Sequence, residues 1–261
     1  MPASATARHP GSPPPPRVVV VIPSRWASSR LPGKPLADIG GVTMVERVYR
    51  RAAAARGIAG VIVATDDDRI AEEVARFGGA WVMTRPDHLS GTDRIAEVAR
   101  GLSCDIVINV QGDEPALDPA AIEAAAAPLA ADPSVLMGTI GAPLDEAAEL
   151  QNPNAVKVLV DRQGFALYFS RAPVPYRREA GQAFGAVLRH VGLYAYRREF
   201  LLTLASLPRT PLERIESLEQ LRALEHGYRI RVVETASPSV PVDTPEDLER
   251  VRRLAADGLL P

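Results

Sequence analysis

The first regular feature of the chain is an apolar run with no polar break, Val18-Val19-Val20-Val21-Ile22, set between Arg17 and Pro23. A short β-branched stretch without alternation predicts a strand covered on both faces. Similar runs recur at Val61–Ala64 and Asp105–Val110, with a weaker one at Ala80–Met83. Between them the apolar spacing changes to three and four. Val45, Val48 and Tyr49 share one face of a predicted helix over residues 43–56. Further helices are predicted over Asp67–Phe77, over Thr92–Leu102 with Thr92 or Gly91 near its cap, and over the Ala-rich Asp118–Ala130. Strand, helix and strand in this rhythm predict βαβ units and a mainly parallel sheet.

The second half reads differently. Val135–Ala142, Ala155–Val160, Ala166–Ser170 and Arg189–Tyr196 are predicted strands with no long helices among the first three. Asp161-Arg162-Gln163-Gly164 is a turn with Gly where a positive φ is needed. Pro211–Gly227 is predicted as one helix, with Leu212, Ile215, Leu218 and Leu221 on its buried face and Gly227 as its stop. Arg229–Glu234 is a strand, and Pro245–Leu254 a closing helix with Thr244 as cap and Pro245 at its first position. The fold class expected is therefore α/β: a Rossmann-like, mainly parallel sheet with helices on both faces and antiparallel insertions in the second half. Ligands of such sheets bind beyond the carboxyl ends of the strands.

No repeat or interdomain linker interrupts residues 17–261, which are read as one domain. Residues 1–16, MPASATARHPGSPPPP, are read as a disordered or polyproline-like tail without the apolar core of a signal peptide. Its removal is expected to leave melting temperature and turnover nearly unchanged. A large loss of thermal stability in the truncated protein would show the tail to be part of the fold.

Composition narrows the function. The formal net charge of −2 supplies no basic field for nucleic acid, so a polyanionic ligand needs a local cluster of Arg and Lys. No apolar stretch reaches the roughly 18–20 residues of a membrane span. The one cysteine, Cys104, permits no intrachain disulfide, which fits a reducing cytoplasm, and it reads as a small semi-buried hydrophobe. His9, His88, His190 and His226 are scattered, without zinc-ligand spacing.

The local cationic cluster exists. After the first strand, Arg25, Arg30 and Lys34 fall within ten residues, among Ser28, Ser29 and Gly33. Cations plus approachable backbone N–H groups suit a triphosphate. Neither the Walker A nor the dinucleotide glycine spacing is present. Asp113 and Glu114 follow the strand that ends at Val110, at the same sheet edge. Hard carboxylate oxygens there suit Mg²⁺, which takes one or two carboxylates together with phosphate oxygens. In Val242-Asp243-Thr244-Pro245-Glu246-Asp247, Glu246 and Asp247 complement a helix dipole. Helix capping alone would explain these acids, but Asp243 lies outside the helix and is available to a metal.

Arg25–Pro35, Ala64-Thr65-Asp66, Ser90-Gly91-Thr92-Asp93-Arg94 and Asn109–Pro115 occur in this order along the chain. After them come Asn152–Lys157, Tyr168–Arg171, Arg189–Tyr194, Leu218-Glu219-Gln220-Leu221 and Val242–Leu248. This set, covering about residues 17–254, resembles the 3-deoxy-manno-octulosonate cytidylyltransferase family. The resemblance implies a nucleotide-diphospho-sugar transferase-like fold and transfer of CMP from CTP to the sugar acid Kdo, with release of pyrophosphate. It further implies Mg²⁺ as cofactor, a homodimer, and a cytoplasmic place in lipopolysaccharide biosynthesis. On it, Arg25, Ser29, Arg30 and Lys34 hold the triphosphate, and Thr65, Asp66, Ser90, Gly91 and Gln111 border the nucleotide. Gln111, Arg171, His190, Tyr194, Glu219 and Gln220 surround the sugar, Asp113 and Asp243 bind the metal, and Arg25 and Lys34 join them in catalysis. The chain departs from the family pattern at Ser24, Trp26 and Arg214, where Ala, Tyr and His are expected, and in a shorter loop at Glu179–Gly185. Without the resemblance, His190 reads as a hydrogen-bonded core residue, Glu219 and Gln220 as a solvated helix face, and Lys157 as structural. Two other readings remain: a cytidylyltransferase for a related sugar acid such as 8-amino-Kdo or sialic acid, and a nucleotide-binding module that releases no pyrophosphate.

Overall fold

A computed structural model describes residues 14–27, 31–144, 147–176, 178–179, 187–236 and 241–260. Most of the Pro-rich tail, and Ser28, Ser29 and Arg30 of the cationic loop, lie outside the described residues, as does most of the loop at 179–185. The elements in chain order begin with β1 (Val18–Ser24), the hairpin β2 (Asp38–Ile39) and β3 (Val42–Thr43), α1 (Met44–Ala53), β4 (Ile58–Thr65) and α2 (Asp68–Arg76). Next are β5 (Ala80–Met83), α3 (Gly91–Arg100), β6 (Ile106–Asn109), α4 (Pro119–Ala131), β7 (Met137–Pro143) and α5 (Ala147–Gln151). The chain continues through β8 (Lys157–Val160), β9 (Ala166–Ser170), β10 (Val187–Arg197), α6 (Arg198–Ser206), α7 (Pro211–Glu216) and α8 (Leu221–Glu225). It closes with β11 (Ile230–Glu234) and α9 (Pro245–Ala256).

The main sheet runs β11-β7-β10-β6-β1-β4-β5, with the β8–β9 hairpin added beside β10. β6, β1, β4 and β5 are parallel, whereas β10 runs antiparallel to both β6 and β7. The unbroken apolar run of β1 has the expected cause. Val18, Val20 and Ile22 enter one core with α1, α2, α4 and α9, while Val19 and Val21 enter a second core with α3 and α6. β1 lies between β4 and β6, so strand order reverses there, and the crevice opens beyond its carboxyl end. Gly112 permits the close approach of the two strand ends: a Cβ on it would lie 2.9 Å from the Pro23 carbonyl oxygen.

Three local expectations are corrected. Pro211–Gly227 is not one helix but α7 and α8, separated by Ser217 at φ 52°, ψ 49°. The cause is a buried ion pair. Arg222 donates from Nε and Nη2 to Glu213 at 2.9 and 2.6 Å, and both side chains are almost fully buried. In a continuous helix these residues would be about two and a half turns apart, on opposite faces and about 13 Å along the axis. The break folds one onto the other, and leaves Leu212 and Ile215 exposed while Leu218 and Leu221 are buried. The cap of α3 is Ser90, whose side chain accepts from Asp93 N at 3.1 Å, rather than Gly91 or Thr92. α6 and the β2–β3 hairpin are elements that the sequence reading lacks; the hairpin turns through Gly40 and Gly41, both at positive φ. Among the described residues no helix is long and apolar enough to cross a membrane.

Candidate active site

Two cavities open beyond the carboxyl ends of β1 and β6. The first, about 350 Å³, is lined by the end of β1 through Arg25, by Lys34 and Pro35, by His88–Gly91 and Arg94, and by Gln111–Asp113. The second, about 390 Å³, lies over β6 and β10 and is lined by Asn109, Arg171, Gly192, Tyr194, Tyr196 and the segment Ser217–Gln220, among others. Gly91, Gln111, Glu219 and Asp243 line both, so the two spaces share a wall.

Asp113, Lys34 and Asp243 meet in the first cavity. Lys34 Nζ donates to Asp113 Oδ2 at 2.7 Å, to the Val242 carbonyl at 2.9 Å and to Asp243 Oδ1 at 3.3 Å. Local backbone structure brings them there. Gly33, at φ 69°, turns the chain into the 3₁₀ turn that carries Lys34, and Val242 N donates to the Asp113 carbonyl at 2.9 Å. Thr244 caps α9 and forms a capping box with Asp247, whose carboxylate also accepts from Asp243 N at 3.1 Å. The Asp243 carboxylate is therefore not the cap, and it reaches the same ammonium as Asp113. Among the described residues no group of three or more His, Cys, Asp or Glu is arranged to hold a metal. Two carboxylates converging on one cationic point nonetheless match the donor set of Mg²⁺, whose remaining ligands come from phosphate and water. Glu114 lies behind them, where burial and then the Asp113 charge push its carboxyl up to about 8.

The nucleotide-side expectations divide. Arg25, Lys34, Ser90, Gly91 and Gln111 line the first cavity. Thr65 and Asp66 line neither cavity. Thr65 is fully buried, and Asp66 accepts from Arg94 Nη2 at 2.7 Å. Asp66 thus acts behind Arg94, whose guanidinium also donates to Thr84 and borders the cavity. Sequence reasoning missed Arg94 and His88 as wall residues. Arg94 stood in a quoted motif, but nothing in the sequence marks a helical Arg as buried.

Of the residues expected around the sugar, Arg171, Tyr194, Glu219 and Gln220 line the second cavity. Lys157, fully buried, donates from Nζ to the carbonyls of Arg171 and Asn152 at 2.7 and 2.9 Å, which makes it a support for Arg171. Arg171 Nε donates to the Glu216 carbonyl at 2.8 Å. Glu219 accepts from Thr92 Oγ1 at 2.6 Å. Gln220 and Asn109 each keep one buried amide atom without a protein partner, Nε2 and Oδ1 respectively, in residues that line this cavity. Such orphans beside a cavity mark hydrogen-bonding capacity kept for a ligand or water. His190 does not line the cavity; its ring packs 5.4 Å from that of Tyr194, and Nε2 lies 3.0 Å from Thr139 Oγ1. Because that hydroxyl donates to Leu193 O, Nε2 is the donor and Nδ1 the acceptor. Burial pushes His190 down to about 3, so the ring is neutral at physiological pH.

Residues 19–230 match the family described as cytidylyltransferase. A relative from Syntrophotalea carbinolica, 3-deoxy-manno-octulosonate cytidylyltransferase, is 58% identical over 90% of this chain and 96% of its own. A protein of the same name from Solibacter usitatus is 53% identical over 94% of this chain and 97% of its own. A solved structure of CMP:2-keto-3-deoxy-manno-octonic acid synthetase, complexed with CTP, superposes with a TM-score of 0.89 at 48% identity, covering 93% of this chain and 100% of that one. A cytidylyltransferase from Leptospira borgpetersenii shares the fold at 17% identity, with a TM-score of 0.64 over 92% of this chain and 87% of its own.

Proposed function

The chain belongs to the 3-deoxy-manno-octulosonate cytidylyltransferase family, and from that premise we propose that it transfers CMP from CTP to Kdo, releasing pyrophosphate and forming CMP-Kdo for lipopolysaccharide biosynthesis. The observation that carries this reading is the shared wall: two cavities of similar size meet at Gln111, Glu219 and Asp243, as transfer between two substrates requires. The first cavity takes the nucleotide. Its cations Arg25 and Lys34 neutralise the triphosphate and the departing pyrophosphate, and Arg30 of the same loop is assigned to that task from its place in the sequence. Ser29 is assigned to the triphosphate on the same ground. The second cavity takes the sugar acid, with Arg171 facing its carboxylate and Tyr194, Gln220 and Glu219 facing its hydroxyls.

The reaction needs an acceptor oxygen in line with the α-phosphate, so most of the protein's contribution is positioning and charge neutralisation. Asp113 and Asp243 fit a magnesium ion, and we assign them to it. Bound there, Mg²⁺ would supply Lewis acidity at the α-phosphate and lower the pKa of the attacking hydroxyl. Lys34, which bridges the two acids, is the cation that would turn to the phosphates. Neutral His190 orients Tyr194 from behind rather than touching the sugar. We also assign the enzyme to the cytoplasm as a homodimer. Light scattering at a mass near 28.0 kDa would exclude the homodimer.

CTP is expected to be used in strong preference to UTP and ATP. A pocket whose buried donors pair with one base edge leaves them unpaired with another. A coupled pyrophosphate assay with three nucleotides and a panel of Kdo, 8-amino-Kdo and sialic acid tests the proposal. Equal turnover with ATP or UTP, or activity confined to sialic acid, would overturn it.

A further inference from the structure

Two of the three cations assigned to the triphosphate, Arg25 and Lys34, stand next to residues that touch each other. Arg25 precedes Trp26, and Lys34 follows Gly33. Gly33 N donates to the Trp26 carbonyl at 3.3 Å. The indole lies so close that a Cβ on Gly33 would come within 2.9 Å of Trp26 Cη2. Gly33 is also at φ 69°, so glycine is needed there for both conformation and space. The same indole carries a guanidinium: Arg69 Cζ lies 3.3 Å from the ring centroid. Arg69 is itself held by Asp67, which accepts from Nε at 2.9 Å and from Nη2 at 2.7 Å. Asp67 in turn caps α2, accepting from Arg69 N at 3.0 Å.

These contacts form one chain of supports, from the capped end of α2 through Asp67, Arg69 and Trp26 to Gly33. We propose that Trp26 is a positioning residue for the nucleotide: its indole, stacked on Arg69 and pressed on Gly33, sets the separation of Arg25 and Lys34 before CTP arrives. The inference rests on the reading of the first cavity as the CTP site. The physical reason is preorganisation. A loop whose two ends are already tied loses less freedom when the triphosphate binds, and its cations need not be gathered from a wider spread. Neither Trp26 nor Arg69 lines the cavity, so any effect they have on nucleotide binding must pass through the loop. The stack also explains a local oddity. Trp26 is a large aromatic residue beside a polar loop, packed partly against the core, and it also stacks on an exposed arginine.

The test is calorimetric titration of CTP with Mg²⁺ into the parent, Trp26→Ala, Trp26→Tyr and Arg69→Met, with KM for CTP and for Kdo measured in parallel. Trp26→Ala is expected to weaken CTP about tenfold or more, and Arg69→Met, which keeps bulk but not charge, about threefold. Trp26→Tyr, which restores a ring over Gly33, is expected to recover most of the loss. KM for Kdo and the melting temperature are expected to stay near the parent values. Arg69 is more than half exposed, so its variant reports on the stack even if Trp26→Ala folds poorly. CTP affinity unchanged in both Trp26→Ala and Arg69→Met would overturn the proposal. So would a parallel fall in CTP affinity, Kdo affinity and melting temperature, which would mark Trp26 as ordinary core. A parent that binds no CTP would overturn the assigned activity, and the positioning role with it.

Discussion

Asp113→Asn and Asp243→Asn are each expected to lower turnover about a thousandfold, about 4 kcal/mol in barrier, with the fold intact. Each change removes one negative charge from the paired carboxylates while keeping side-chain size. A weakened metal site exposes the repulsion between sugar carboxylate and phosphate, and leaves the attacking hydroxyl a poor nucleophile. The stability cost is expected to be small, because both acids are partly exposed and their link to Lys34 is a solvent-screened one. A capping role for Asp243 predicts the opposite pattern: about 1 kcal/mol of lost stability and near-normal turnover. The geometry argues against it, since Thr244 and Asp247 already cap α9. Steady-state rates over a Mg²⁺ titration, set beside melting curves, separate the two. An Asp243→Asn enzyme that melts early but releases pyrophosphate at the parent rate would remove Asp243 from the metal site.

Arg222→Met is expected to have the largest effect on stability, about 3 kcal/mol or more. It leaves the Glu213 carboxylate buried, with Thr210 N and the half-exposed Arg209 as the remaining donors among the described residues. Burial alone would push Glu213 upward, but the Arg222 fork and the Thr210 and Arg209 donors outweigh it and hold the carboxyl below its ordinary 4.5. The sign follows. A depressed folded-state pKa contributes stability that is present above 4.5 and is lost as pH falls through the lower folded-state value. The difference between parent and variant is therefore expected to be full at pH 7 and to shrink below about pH 4.5. Thermal melts across that range check it. A Glu213→Gln, Arg222→Met double variant is expected to recover part of the loss, because no uncompensated charge stays buried. Because Ser217–Gln220 is the bend that lets the pair close, KM for the sugar acid is also expected to rise. A variant as stable as the parent at pH 7 would show that the pair does not hold the bend.

Much of the architecture was legible because local and tertiary signals agree. The β1 run lacks alternation because both faces are covered. The α9 start carries Thr244, Pro245 and Asp247 in the order that capping chemistry requires. The positive φ of Gly164 was readable from its turn. The Gly40-Gly41 pair between Ile39 and Val42 is an equally plain hairpin signal that the reading passed over. Other features leave no local mark. Ser217 is neither Gly nor Asn, and its left-handed conformation is imposed by a pair formed nine residues apart. α6 follows β10 directly with no side-chain cap to announce it. In the site, Arg25, Lys34 and Asp113 could be named from residue type and strand position, and Asp243 from its place just outside a predicted helix together with the family resemblance. Arg94 could not, because its burial depends on Asp66, 28 residues earlier in the chain. The place of His190 behind Tyr194 depends on how β10 packs against Thr139 of β7.

Phosphorus NMR of one reaction mixture tests the central claim most directly. With CTP, Mg²⁺ and Kdo, the account predicts that the triphosphate resonances give way to inorganic pyrophosphate and, in equal amount, one phosphodiester carrying both cytidine and Kdo. Pyrophosphate without that phosphodiester, or CTP left intact beside Kdo, would contradict it.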